Sequence, residues 1–212
     1  MTCSSSSQPI VGYTSVPKRT KLDAPAISRF ACLMEQRNWT YWSEEELEKV
    51  LPSRRTKPDF FARTMNGVSI LIEIESFQKH RFALKALREN PVMSGLGYTD
   101  NKRFSTALQH ACRQLKPYRD LKFPCLVVLD DFREVSMPLN ECILGLHLLR
   151  WFQENSERNH MSAVAWLLGE PSSLRLRVFH NPNSSCALAS DSFGSPHDEH
   201  WQVSPGEFWK RA

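Results

Sequence analysis

The chain has 212 residues, 41% of them hydrophobic and 24% charged, which suits one globular domain with a sizeable core and excludes both a mini-protein and a multidomain machine. Its formal charge of +4 is unevenly spread: between Ser76 and Lys122 ten Lys or Arg stand against three acids, a local +7 that leaves the rest at −3. Such a basic middle suits a polyanion, with merely solvated helix faces as the alternative.

The longest apolar runs, Leu126–Leu129 and Ala163–Leu168, fall far short of the roughly 20 residues of a membrane span. Met1–Ile10 lacks the basic start and apolar block of a secretory signal. A cytoplasmic setting is expected, or a nuclear one in a eukaryote, with no membrane partner. The cysteines at 3, 32, 112, 125, 142 and 186 have no zinc-ligand spacing and are expected to be reduced, mostly buried thiols.

Residues 1–24 are rich in Ser, Thr, Pro and Lys without periodicity, and are expected to form a disordered or loosely attached arm. The folded domain is expected over 25–180. Ile27, Phe30, Leu33 and Met34 recur at helical spacing, and Ser43 with Glu46 forms a capping box predicting a short helix through Leu51. Asp59–Thr64 and Val68–Ser76 read as a β-hairpin around Met65, Asn66 and Gly67. Phe82–Arg88 is predicted helical and Pro91–Asp100 a loop.

Phe104, Leu108, Ala111 and Leu115 form the apolar stripe of a helix ended by Pro117. Pro124–Leu129 is a doubly covered central strand, Leu139–Phe152 a helix, and Ala163–Leu168 and Leu174–Phe179 two further strands. From Asn181 to Ala212, Asn, Ser, Pro and Gly dominate and an irregular tail is expected, with Trp201, Phe208 and Trp209 available to dock it. The order argues for an α/β domain with a mixed central sheet flanked by helices. No nucleophile elbow, P-loop or dinucleotide fingerprint is present, which argues against those enzyme classes.

The informative segment is the acidic hairpin. Carboxylates at Asp59, Glu73 and Glu75 interrupt otherwise apolar strands and need a compensating reason to be there. A two-residue turn at Asn66-Gly67 would set Asp59 opposite Ile74, with the acids pointing apart. A three-residue loop, Met65–Gly67, with Gly67 left-handed, sets Asp59 opposite Glu73 with Cβ atoms roughly 5 Å apart. The apolar pattern favours the second register, because it gathers Phe60, Ala62, Ile70, Ile72 and Ile74 on one face and the three acids on the other. Like charges so close call for a cation, and oxygen ligands suit Mg²⁺ or Mn²⁺. The bland alternative is an exposed strand face whose acids pair with Arg63, Lys79 or neighbouring helices.

From these residues the sequence resembles the PD-(D/E)xK nuclease superfamily, whose core carries a Pro-Asp strand, a hairpin, an acid-x-Lys strand and a following helix. Pro58-Asp59 and Glu73 match the first motifs. Gln114-Leu-Lys-Pro-Tyr118 has the Q-x-x-x-Y form of the branch similar to RecB, and the resemblance spans roughly Ser43 to Asp130. One departure stands out: Glu75 occupies the usual lysine position, where a carboxylate cannot supply positive charge. Some members use acid-x-Glu, and Lys79 or Lys116 are the lysines available to reach the site from elsewhere. Pro117 interrupts the Q-x-x-x-Y helix end.

The resemblance implies a restriction-endonuclease-like sheet and a Mg²⁺- or Mn²⁺-dependent nuclease. Its partner would be DNA, with RNA as the alternative nucleic acid. Asp59, Glu73 and the Ile74 carbonyl would bind the ion, Glu75 would act as base or further ligand, and Gln114 and Tyr118 would orient water or backbone. Arg54, Arg55, Lys57, Lys79, Arg81, Arg113 and Lys116 would hold phosphates. The rival is a catalytically degenerate member serving as a nucleic-acid-binding or protein-interaction module, and a third reading is an α/β scaffold without a nucleic-acid partner. His197-Asp-Glu-His200 is expected to be a solvated loop, and Asp130-Asp131 to cap a turn.

Overall fold

The computed structural model describes residues 24–76, 97–130, 148, 150–153, 156–204 and 207–211. The arm up to residue 23, the helix expected over Phe82–Arg88, Lys79, Arg81, Asp131 and most of Leu139–Phe152 lie outside these residues. Among the described residues, eight strands form one mixed sheet in which spatial order follows chain order. They are β1 (Thr40–Ser43), β2 (Phe60–Arg63), β3 (Ser69–Ser76), β4 (Cys125–Asp130), β5 (Met161–Leu168), β6 (Arg175–His180), β7 (Glu199–Ser204) and β8 (Glu207–Arg211). β1, β2 and β3 form an antiparallel meander. β3, β4 and β5 run parallel, β6 is antiparallel to β5, β7 is parallel to β6, and β8 returns antiparallel.

Helices cover both faces, and the alternation of side chains along the strands decides which residues meet which helix. α1 (Ala24–Gln36) packs Ile27, Phe30, Leu33 and Met34 against Phe60, Ala62, Ile70, Ile72 and Ile74, the predicted apolar layer. It ends in a Schellman turn: Asn38 is left-handed at φ 54°, and Trp39 N–H donates to the Met34 carbonyl at 2.9 Å, so the last carbonyls are satisfied. α2 (Gly97–Leu115) sets Phe104, Leu108, Ala111 and Leu115 on the other face, against Phe61, Leu71, Val127 and Leu129. β3 and β4 are covered on both sides, which is why their apolar content is nearly continuous.

Several expectations are corrected. Ser43 closes β1 instead of capping a helix; only a 3-10 turn, Leu47–Lys49, follows, and it has no side-chain cap. Main chain replaces the predicted capping box there, with Glu46 N–H donating to the Ser43 carbonyl at 2.8 Å. Gly97–Asp100 is the first turn of α2, not loop. The tail is not irregular throughout, because β7 and β8 extend the sheet beyond residue 180 and Trp201 packs on the α2-side core. The tail also grips the hairpin, since Asn66 at its tip donates to the Asp191 carbonyl at 2.6 Å.

His197–His200 is no solvated loop either. Asp198 and His200 are buried. Asp198 accepts from both terminal nitrogens of Arg37 at 2.7 Å and from Leu176 N–H at 2.7 Å. Asp130 is buried and ion-paired to Arg29 at 2.5 Å, while the same guanidinium donates to the Gly169 carbonyl; it clamps α1 to the sheet and does not merely cap a turn. Of the four described cysteines only Cys125 is buried, and burial pushes its thiol pKa up.

Candidate functional site

The hairpin adopts the three-residue-loop register. Phe60 lies opposite Ile72 and Ala62 opposite Ile70, Gly67 is left-handed at φ 79°, and Thr64 N–H donates to the Val68 carbonyl at 2.9 Å. Continued by one residue beyond Phe60, this register sets Asp59 opposite Glu73. The Thr64–Val68 bond also fixes parity: hydrogen-bonded pairs alternate along an antiparallel ladder, so Asp59 and Glu73 form a non-hydrogen-bonded pair, the kind whose side chains approach most closely. Both are buried, at 2% and 1% exposure.

Extended one residue further, beyond the paired strand, the same register would set Pro58 opposite Ile74. Proline has no N–H, so the ladder offers no donor to the Ile74 carbonyl there. The Ile74 N–H is instead taken by Asp59, whose Oδ2 accepts it at 2.7 Å. N–H and C=O of one strand residue leave the chain on the same side, so the Ile74 carbonyl is directed toward the edge that Asp59 occupies. The Pro-Asp dipeptide thus frees a carbonyl and orients a carboxylate in a single step.

Glu75 shares the face of Glu73 and meets a residue that the sequence reading missed. His110, on α2, has its Nδ1 2.5 Å from Glu75 Oε1, with side-chain exposures of 49% and 17%. Glu73, Glu75 and His110 each present a ligand atom within 4.8 Å of the others. A divalent ion bonded at about 2.0–2.2 Å brings its ligand atoms to within about 4.4 Å of one another, so the cluster fits an ion after shifts of a few tenths of an ångström. Asp59 stands outside that cluster, beside Glu73. His110 precedes Gln114 by one turn on α2, a spacing that by itself does not mark it as a neighbour of Glu75.

Comparison with protein-family models, curated proteins and solved structures returned no match. The site must therefore be read from its own geometry.

Gln114 and Tyr118 meet the segment that leads into Asp59. The Tyr118 hydroxyl donates to the Thr56 carbonyl at 2.9 Å, and Thr56 Oγ1 donates to the Gln114 carbonyl at 3.1 Å. The Gln114 part of this contact is main chain, and the Tyr118 hydroxyl, its pKa raised by burial, is committed to positioning Thr56.

Among the basic residues, Arg54 donates to Asp120 and Lys57 to Glu48, each at 2.7 Å. Hydrogen bonding to Lys57 holds the Glu48 carboxyl below its ordinary range. Arg55 is exposed. Arg113 and Lys116, also exposed, line an open depression of about 360 Å³ together with Pro117, Arg119 and Asp120.

Proposed function

We propose that this chain is a divalent-metal-dependent nuclease with a restriction-endonuclease-like core of the PD-(D/E)xK kind, hydrolysing DNA phosphodiester bonds. The observation that carries this reading is the burial of Asp59 and Glu73 at positions that the Phe60–Ile72 register, extended by one residue, sets opposite each other, with Glu75 continuing the same face. The element order supports it: a Pro-Asp strand, a hairpin, an acid-x-acid strand, a helix, and a parallel strand β4 beside β3.

Asp59, Glu73 and the Ile74 carbonyl would hold the ion, with Mg²⁺ or Mn²⁺ as the candidates. When bound, it supplies charge neutralisation of a phosphate and a lowered pKa for water. Glu75 would act as base or as a further ligand; as base, its carboxylate would take the proton of the attacking water as oxygen adds to phosphorus and the opposite P–O bond breaks, the leaving oxygen being protonated from solvent. Arg113 and Lys116 hold the phosphate backbone by charge, a contact that positions without reading sequence.

The second reading, a catalytically degenerate nucleic-acid-binding or protein-interaction module, is favoured by one observation: Glu75 stands where lysine is usual, and its carboxylate meets the His110 imidazole. Incubation of the purified chain with linear and circular DNA, and with RNA, in Mg²⁺, Mn²⁺ and chelator separates the two. Metal-dependent cleavage lost in Asp59→Asn and Glu73→Gln supports the nuclease. Salt-dependent binding without cleavage supports the module.

A further inference from the structure

The cluster on β3 and α2 differs in chemistry from a purely oxygen-lined site. Three carboxylates, Asp59, Glu73 and Glu75, already exceed the charge of one divalent ion, so a fourth acid would add repulsion. His110 adds a neutral nitrogen donor, and it comes from a separate element. Its place is not incidental, because Leu108, Ala111 and Leu115 lock α2 onto Leu71 and Val127 and so fix the rotation that carries His110 to Glu75 at 2.5 Å.

Nitrogen donors discriminate between ions. Mg²⁺ demands near-ideal octahedral oxygen coordination and gives up its waters reluctantly. First-row transition ions accept imidazole, with affinities rising from Mn²⁺ through Fe²⁺ and Co²⁺.

We infer that His110 is a direct ligand at this site, and that its imidazole makes the site select a first-row transition ion over Mg²⁺. The inference rests on the metal-site reading above and narrows it to an ion class. Mn²⁺ enters between Glu73, Glu75 and His110, with Asp59 and water completing its shell. Mg²⁺ uses the carboxylates alone and leaves His110 on Glu75. His110 lies half exposed on the flank of α2, so replacing it leaves the packed stripe of that helix intact.

The test uses the full chain and the metals alone. Calorimetric titration with Mn²⁺ and with Mg²⁺ is compared between wild type and His110→Ala, and the Mn²⁺-loaded samples are examined by pulsed EPR for nitrogen modulation. The expected result is Mn²⁺ binding about tenfold or more tighter than Mg²⁺ in wild type, with imidazole nitrogen coupled to manganese. In His110→Ala the coupling disappears and Mn²⁺ affinity falls by roughly ten- to a hundredfold, while Mg²⁺ affinity stays within about twofold. Equal affinities for the two ions, or an unchanged nitrogen signal in the variant, overturn the role of His110 while leaving the carboxylate site standing. Absence of binding for both ions overturns this inference and the metal-dependent reading together.

Discussion

Asp59 Oδ2 accepts the Ile74 N–H at 2.7 Å, although Asp59 stands opposite Glu73 and not opposite Ile74. The contact bends the Asp59 carboxylate along the strand toward the carbonyl left without a ladder donor by Pro58. Both acids are buried.

Metal binding at this pair yields a stability prediction. At about 100 times its dissociation constant, Mn²⁺ is expected to stabilise wild type by about 2.7 kcal/mol relative to chelator. Asp59→Asn and Glu73→Gln lose that increment. Thermal melts with and without Mn²⁺ check this, and an equal Mn²⁺ shift in either variant would contradict it.

On the DNA-binding reading proposed above, the basic residues fall into two groups. Arg113→Ala combined with Lys116→Ala is expected to weaken DNA binding and to reduce the slope of log affinity against log salt by about 1–2. Arg54→Ala and Lys57→Ala change it little, because Asp120 and Glu48 already neutralise those side chains. Salt titrations of binding for the two double variants decide this.

The Arg29–Asp130 clamp is structural. Asp130 is fully buried on the α1 face, opposite the acidic cluster. Asp130→Ala leaves a guanidinium without its carboxylate, at an expected cost of about 3–5 kcal/mol, measured by urea unfolding. A loss under 1 kcal/mol would contradict the clamp.

His180 and His200 stack, with His180 Nε2 3.0 Å from His200 Nδ1. Burial holds the His180 pKa down at about 4, from 6.5, and burial also lowers that of His200. Below pH 6.5 the unfolded chain therefore takes up protons that the folded chain refuses. The contribution is fully present above about pH 6.5 and is lost as pH falls toward 4, by roughly 3 kcal/mol or less at about 1.4 kcal/mol per pKa unit. Unfolding free energies measured between pH 4 and 7 should fall less steeply for His180→Gln than for wild type; an equal slope would contradict the assignment.

The hairpin register was legible because two signals agree: Gly67 supplies the left-handed turn residue, and the isoleucines alternate strictly with the acids. β1 escaped because Thr40–Ser43 is only one short strand and runs straight into a Ser-x-x-Glu pattern that imitates a helix start. β7 and β8 escaped for another reason: their strand signal is diluted by the Asn, Ser, Pro and Gly around them, and what holds Asp198 is Arg37, 161 residues away. His110 belongs to the same class of omission. Nothing local marks a histidine on the polar flank of a helix as the neighbour of a strand glutamate, because that contact is created by the packing of α2 on β3.

The most direct test of the site is an anomalous difference map from crystals soaked in Mn²⁺. A peak within about 2.2 Å of carboxylate oxygens of both Asp59 and Glu73 is the predicted result. A well-occupied manganese bound elsewhere, with these two carboxylates making only protein contacts, would contradict it.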